Sequence, residues 1–138
     1  MRLFLDANVI FTAAHNPVGR SSALFGLARH GVCVLSTSPH AAAEAQRNLR
    51  VKYPETLPRL QVLMSQIEMV PEAPPAGVAW AIEQGLPLKD APVLAAALAS
   101  GSDALVTGDR THFGHLFGRK IRTLVVLTAG AALARLLA

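Results

Sequence analysis

Four carboxylates occupy positions at which acidic side chains could carry out chemistry. Asp6 and Asp109 each follow directly on a short apolar segment, while Glu44 and Asp90 lie within helical patterns. Carboxylates gathered in one cleft repel one another, and the pKa of one or more rises unless a cation neutralises them. A ligand set made only of oxygen favours a hard cation, Mg²⁺ or Mn²⁺, with waters completing the octahedron. The acids therefore predict a divalent metal centre.

Each of these acids also has a structural explanation. Asp6 and Asp109 could cap the segments that follow them. Asp90 begins an Ala- and Leu-rich helix, where a negative charge complements the helix dipole by about 0.3–1 kcal/mol. Glu44 shares a helix face with Ala41, whereas a solvated glutamate would more naturally lie on the opposite, polar face. Taken singly, the four positions leave both interpretations open.

Polar neighbours could support the centre. Asn8 is either a turn residue or an amide that holds Asp6 in one rotamer, and Thr107 offers a hydroxyl at the rim where Asp109 lies. Lys89 and Arg110 are candidates for holding a substrate backbone, although solvated surface charge explains both as well. The chain has 13 Lys and Arg against 9 Asp and Glu. Its net charge of +4 favours a polyanionic partner such as RNA or DNA.

Other chemistries lack their sequence patterns. No Cys–His spacing supports a zinc site, and we expect His112 and His115 to be exposed around Phe113 and not to be ligands. Cys33 lies in an apolar run and reads as a small core residue without a disulfide. The sequence has neither a phosphate-binding glycine loop nor a Gly-x-Ser-x-Gly elbow.

The elements that must position the acids are short apolar strands separated by helices. Strands are predicted at 3–5, 32–35, 104–107 and 121–127, and helices at 20–30, 38–52, 57–67, 78–84, 90–100 and 129–137. Helical crossovers join parallel strands, so this alternation predicts a parallel sheet covered by helices on both faces. Functional sites in such folds lie outside the carboxyl ends of the strands. Asp6 and Asp109 are predicted to lie there.

Length and composition indicate one globular domain spanning residues 1–138. Hydrophobic residues make up 51% of the chain and charged residues 16%, which supplies a core and excludes intrinsic disorder. The apolar stretches are shorter than the roughly 20 residues of a membrane-spanning helix. Asp6 also lies too early for a signal peptide. We therefore expect a soluble, cytoplasmic protein with no membrane partner.

Three stretches of the sequence resemble the PIN-domain family. A strand followed by Asp6-Ala7-Asn8-Val9-Ile10 is similar to the opening of these domains, and a helix that starts at Ser38-Pro39 and carries Glu44 is similar to their second element. The most specific stretch is Lys89-Asp90-Ala91-Pro92-Val93-Leu94 followed by the segment from Gly101 to Asp109. The resemblance spans residues 2 to about 128.

The resemblance implies a three-layer α/β/α sandwich with a central parallel sheet and a metal-dependent endoribonuclease. Many such proteins are toxins of the VapC type, paired with an antitoxin encoded beside them and often homodimeric. Carried over by position, Asp6, Glu44, Asp90 and Asp109 fall on the family's acidic positions, with Asn8 and Thr107 in support. The implied reaction is hydrolysis of an RNA phosphodiester at one or two Mg²⁺ or Mn²⁺ ions.

The sequence departs from related ones just before Asp90, where they often carry extra acids and this chain has Leu86-Pro87-Leu88-Lys89. That leaner set of acids weakens the case for two metal ions. Asp103 also matches a familiar position, but it precedes its strand and reads as structural. Two other functions compete: a non-catalytic domain of this fold that binds RNA or a protein, and a phosphoacceptor signalling domain. The latter usually needs a second acid near the first strand, which this chain lacks.

Overall fold

Six strands form one sheet in the computed structural model, which describes residues 1–138. The strands are β1 (Arg2–Leu5), β2 (Val34–Thr37), β3 (Ile67–Met69), β4 (Ala104–Val106), β5 (Lys120–Ile121) and β6 (Leu124–Leu127). Their order across the sheet is β3-β2-β1-β4-β6-β5, and every pairing is parallel except the β5–β6 hairpin. The predicted central parallel sheet is confirmed.

Helices cover both faces of this sheet. They are α1 (Ala7–His15), α2 (Arg20–Arg29), α3 (Pro39–Lys52), α4 (Leu57–Met64), α5 (Pro75–Glu83), α6 (Ala91–Ala99), α7 (Arg110–Phe113) and α8 (Ala129–Leu136). Successive strand residues point to opposite faces. Thus Leu3 and Leu5 pack with α1, α2, α4 and α8, whereas Phe4 packs with α5 and α6. Two cores separated by a sheet make the three-layer α/β/α sandwich that the sequence predicts. None of the helices combines the length and apolar character needed to span a bilayer.

Several elements differ from the sequence prediction: β2, expected at 32–35, lies at Val34–Thr37, and α7 was not predicted. α1 was not predicted, because Asp-Ala-Asn reads as a turn, yet Asp6 caps a helix whose buried residues include Ile10 and Ala13. The helix expected to reach Ile67 ends at Met64, and Ile67 instead begins the edge strand β3 beside β2. The strand expected from Ile121 to Leu127 is a hairpin that turns at Arg122, whose φ of 57° is left-handed.

The strand order sets the place of the site. The chain leaves β1 for β2 on one side of the sheet, and β4 pairs with β1 on the other side. This reversal between neighbouring strands opens a crevice at their carboxyl ends, where ligands bind in open α/β sheets. Leu5 pairs with Val106, so Asp6 and Thr107 follow at the same level. Acids from the two ends of the sequence are thereby brought to one crevice.

Candidate active site

The four predicted acids lie in one place. Asp6, Glu44, Asp90 and Asp109 all line an open cleft of about 410 Å³ at the carboxyl ends of β1 and β4. Ten of its twelve lining residues are polar, charged or glycine. Such a lining suits a charged ligand better than an apolar one.

Asp6 is almost wholly buried and tightly held. Its Oδ1 accepts a hydrogen bond from the Ala7 amide at 2.7 Å, so it caps α1. Its Oδ2 accepts from Thr107 Oγ1 at 2.8 Å and from Asn8 Nδ2 at 3.0 Å. A carboxylate has about four lone-pair positions. These three hydrogen bonds leave Asp6 one lone pair for a ligand in the cleft. Capping α1 and binding a ligand are therefore compatible roles for this carboxylate.

Thr107 and Asn8 join the two strand ends. Thr107 is fully buried, and besides donating to Asp6 its Oγ1 accepts from Asn8 Nδ2 at 3.1 Å and from the Asp109 amide at 3.2 Å. Asn8 Oδ1 in turn accepts from the Gly108 amide at 2.7 Å. Asn8 lies in the first turn of α1 and is not a turn residue between elements. Both residues lie where they can fix the relative positions of Asp6 and Asp109.

Replacing Thr107 with valine keeps the shape but removes this shared hydroxyl. We expect unfolding measured in urea to become easier by about 1–3 kcal/mol, since buried donors on Asn8 and Asp109 lose their acceptor. Because the Thr107 hydrogen bond lowers the pKa of Asp6, its loss should raise that pKa further. If the acids bind a cation, its affinity should fall about 10- to 100-fold, as for other residues that orient metal ligands. Thr123→Val, at an exposed position, is the matched control, and equal behaviour of the two variants would contradict the role of Thr107.

Burial makes ionisation of Asp6 and Asp90 less favourable. It raises the pKa of Asp6 from 3.8 to about 6, against the opposing effect of hydrogen bonds from Thr107 and Ala7, and repulsion by Glu44 and Asp90 adds to the rise. Burial also raises the pKa of Asp90, where His112 and Lys89 oppose the rise and Asp109 and Glu44 add to it. A cation in the cleft would relieve both costs.

Asp90 has an oxygen without a partner. It immediately precedes α6 and is 7% exposed, yet its side chain makes no capping hydrogen bond. Its Oδ2 is buried and has no hydrogen-bond partner, although His112 Nδ1 is 3.0 Å away. The same Nδ1 lies 2.8 Å from Asp109 Oδ2. Nδ1 can carry only one hydrogen, so it cannot donate to both carboxylates, and the geometry gives Asp90 Oδ2 no hydrogen bond.

His112 belongs to the candidate site, and the sequence prediction missed it. It was expected to be exposed, but it is half-buried and its ring nitrogen faces two of the predicted acids. Asp109 caps α7 by accepting from the His112 amide at 3.0 Å, which fixes the backbone of the turn and the ring together. The sequence feature that could have identified His112 is its position three residues after an aspartate that caps a helix. His115 lies elsewhere, with Nε2 2.8 Å from Gln84 O.

The remaining predicted residues lie around this centre at different distances. Glu44 is half-buried on α3 and reaches the cleft without a hydrogen bond that fixes it, and Lys89 is exposed on its rim. Arg110 does not line the cleft, because its guanidinium lies 5.8 Å from the Phe117 ring centre. Asp103 lies at the opposite end of β4, where it accepts from the Arg2 amide at 2.7 Å, in agreement with its structural interpretation.

The donor set fits a divalent cation. Single atoms of Asp90, Asp109 and His112 lie within 4.8 Å of one another, and Asp6 and Glu44 line the same cleft. The unpartnered oxygen of Asp90 is the observation that tests the fit, since a buried carboxylate oxygen is costly unless something satisfies it. A cation bound in the cleft would satisfy this oxygen of Asp90, which no hydrogen-bond donor of the protein does.

Comparison with known proteins agrees with the fold. A profile of the PIN domain matches residues 2–111, so the chain belongs to the PIN-domain family. This is a family of nucleases that generally use divalent metals. Membership excludes the phosphoacceptor interpretation. A search among curated protein sequences gives no significant match.

Solved structures of low sequence identity share the fold. PAE2754 from Pyrobaculum aerophilum is similar with a TM-score of 0.71 and 21% identity, over 99% of this chain and 90% of its own. VapBC2 from Rickettsia felis gives a TM-score of 0.65 and 18% identity, over 91% and 97%. VapC20 from Mycobacterium tuberculosis gives 0.58 and 13%, over 79% and 91%. The chain thus has the architecture of VapC-type PIN domains.

Proposed function

We propose that this protein is a Mg²⁺- or Mn²⁺-dependent endoribonuclease and the toxin of a toxin–antitoxin pair. The observation that carries the proposal is the convergence of four acids in one cleft, one of them with a buried oxygen that has no hydrogen-bond partner. A cluster of this kind is unfavourable by itself and becomes favourable around a cation. Nuclease chemistry is the established use of such a centre in the family.

Each acid has a distinct part in the proposed centre. Asp6 and Asp90 bind the cation directly, through the remaining lone pair of Asp6 and the unpartnered oxygen of Asp90. Asp109 and Glu44 bind it directly or through water. When bound, the cation stabilises negative charge on the phosphoryl oxygens and makes water a better nucleophile towards phosphorus. We propose a single cation, because the chain has no further acids just before Asp90 that would favour a second.

The protein's own residues provide positioning and charge balance. Thr107 and Asn8 hold Asp6 in one rotamer, and the His112 ring and amide hold Asp109. Preorganised ligands need no rearrangement when the cation arrives. The four carboxylates would repel a phosphate, so Lys89 on the rim is the nearest proposed contact for the substrate backbone. Arg110, held against Phe117, would need to leave that ring to contribute.

The choice of RNA and of an antitoxin partner is supported by the structural relatives. The Mycobacterium tuberculosis VapC20 is described as a toxin that cleaves the sarcin–ricin loop, and the Rickettsia felis structure is of VapBC2. These proteins are 13–18% identical to this chain, which is a likeness of fold. The proposal therefore includes RNA cleavage, a cognate antitoxin, a homodimer and a cytoplasmic location. It also treats residues 1–138 as one domain.

The metal centre is tested by thermal unfolding. We expect Mg²⁺ or Mn²⁺ to raise the Tm of the wild type, because a ligand that binds only the folded state at a hundredfold excess over its Kd adds about 2.7 kcal/mol. Asp6→Asn should blunt the rise. Glu83→Gln, which removes an exposed charge on α5, is the control and should leave it intact. An equal rise in all three proteins would argue against this centre.

Cleavage of RNA separates an enzyme from a non-catalytic PIN domain that only binds RNA or a protein. Purified wild type should cleave RNA with Mg²⁺ or Mn²⁺ and not with excess EDTA, and Asp6→Asn should not cleave. Metal binding without cleavage of any RNA would support the non-catalytic alternative. Induced expression of the wild type, but not of Asp6→Asn, should arrest growth if the protein is a toxin.

A further inference from the structure

The cleft extends from the acids, along one face of each of two helices, to a surface of different composition. On α3, Glu44, Asn48 and Lys52 are four residues apart and so lie on one face. α1 packs against α3, and its Phe11 and Thr12 line the same cleft as Asn48 and Lys52. The cleft therefore has an acidic end and a second end, about 12 Å away along α3 at 1.5 Å per residue.

Aromatic rings cluster at this second end. His15, in the last turn of α1, stacks on Tyr53 with ring centres 3.9 Å apart and planes at 14°. Phe11 lies 5.9 Å from Tyr53 and 6.2 Å from His15 between ring centres. Phe11 and Tyr53 are half-buried with their inner parts against the core, whereas His15 is exposed. The cluster therefore has a half-buried base, formed by Phe11 and Tyr53, and an exposed ring, that of His15.

A positive charge accompanies the rings. Lys52 is exposed, and its Nζ lies 5.7 Å from the centre of the Phe11 ring. The charge along the cleft thus changes from negative at Asp6 and Glu44 to positive at Lys52. A polyanion alone would be repelled at the first end and attracted at the second. A strand whose reacting phosphate is shielded by a cation at the acids can extend towards Lys52.

We propose that Phe11, His15, Lys52 and Tyr53 form a binding subsite for an unpaired nucleotide of the RNA substrate. One nucleobase stacks on the aromatic cluster, and Lys52 contacts a phosphate next to it. This inference rests on the proposed function, in that the acids at the other end act on a phosphodiester of the same strand. Bases within a duplex are stacked on one another and cannot reach the rings, so the subsite selects single-stranded RNA.

His15 and Tyr53 also have roles in local structure that do not involve RNA. The structural roles and the RNA-binding role predict different effects of substitution. His15 complements the negative end of the α1 dipole, and the Tyr53 amide closes α3 by donating to Leu49 O. If these were their only roles, substitutions would change the free energy of unfolding and leave RNA binding unchanged. If the exposed ring of His15 stacks on a base, its substitution should weaken RNA binding and leave the free energy of unfolding unchanged.

Binding of a fluorescein-labelled single-stranded RNA hexamer, measured by anisotropy in EDTA, tests the subsite without cleavage. His15→Ala and Phe11→Leu should each weaken binding by about 5- to 100-fold, the range that loss of one base–aromatic stack produces. Tyr53→Phe keeps the stack and should retain affinity. Lys52→Ala should lower the slope of log K against log salt by about 0.7, the value for one phosphate on a single strand. His30→Ala and Lys120→Ala, at exposed positions outside the cleft, should bind as the wild type does.

The result separates failure of the subsite from failure of the proposed function. Unchanged affinity in His15→Ala and Lys52→Ala would overturn the subsite even if the wild type cleaves RNA. Weakened binding in these variants would support the subsite even if no RNA is cleaved. Equal losses for a duplex of the same sequence would overturn the selection of unpaired RNA. Urea unfolding of each variant ensures that a loss of binding is not a loss of folded protein.

Discussion

Replacing Asp90 with asparagine is expected to abolish RNA cleavage while leaving the metal-free protein at least as stable as the wild type. Asparagine keeps the size of the side chain but removes the charge that a cation needs. Substituting residues that merely orient metal ligands costs about 10- to 100-fold in affinity or activity. Loss of a direct ligand should therefore cost at least about a hundredfold in cleavage rate.

The expected effect on stability has the opposite sign. Burial and the neighbouring Asp109 and Glu44 raise the pKa of Asp90, so ionising this side chain costs more in the folded protein than in the unfolded chain. Removing the charge removes that cost. A simple first-turn helix residue would behave differently, because asparagine would lose about 0.3–1 kcal/mol of dipole interaction and cleavage would continue. The two roles of Asp90 thus differ in both measurements.

Cleavage with Mg²⁺ or Mn²⁺ and urea unfolding in EDTA would be measured on the same preparations. Asp103→Asn is the matched control, since it makes the same substitution at the other end of β4, where the oxygen that accepts from Arg2 is retained. It should cleave normally. Near-normal cleavage by Asp90→Asn would remove Asp90 from the proposed centre.

The metal-free protein is expected to lose stability as the pH rises from about 4 to above 6. The pKa of Asp6 is about 6 in the folded state against 3.8 for the unperturbed group. Between these values the unfolded chain has released the proton while the folded protein still holds it. The contribution of Asp6 to stability is fully present below pH 3.8 and is lost as the pH passes through about 6. The difference of roughly 2 pKa units corresponds to about 3 kcal/mol.

Cation binding should reverse this trend. Ligands must be deprotonated to bind a metal, so affinity for Mg²⁺ or Mn²⁺ should rise over the same pH range. Urea unfolding at pH 4.5, 6 and 7.5, in EDTA and with cation, measures both effects. In Asp6→Asn the slope in EDTA should be markedly smaller, whatever the absolute stability, because an amide facing the Thr107 and Asn8 donors also loses hydrogen bonds. A slope in Asp6→Asn as steep as in Glu83→Gln would contradict the assignment to Asp6.

The elements with strong local signals were predictable. Ser38 and Pro39 mark the start of α3, and the structure has Ser38 accepting from the Ala41 amide as its cap. Apolar runs identified β1, β4 and β6 because strands buried on both faces need no alternation. α1 and β3 were not predictable, since the former begins at a turn-like Asp-Ala-Asn and the latter has three residues on an edge. Their formation depends on packing and pairing with distant segments.

The candidate site was predictable to the extent that strand ends define it. Parallel strands end at one edge of a sheet, so Asp6 and Asp109 had to lie near one another if the sheet was parallel. His112 was missed because its role depends on the orientation of a short helix after β4. The contact between His15 and Tyr53 was also out of reach, because it arises from the packing of α1 on α3 and has no periodic signal in the sequence.

By itself, the sequence determined the class of fold and predicted the candidate acids and a hard cation, because periodicity, capping and ligand chemistry are properties of short segments. Only the tertiary structure decided how these acids differ. The pairing of Leu5 with Val106 aligns Thr107 with Asp6 and satisfies that carboxylate, while the position of α6 leaves an oxygen of Asp90 buried and unpartnered. Burial raises the pKa of Asp6 and of Asp90, while the hydrogen bond from Thr107, 101 positions along the chain, opposes the rise at Asp6 alone.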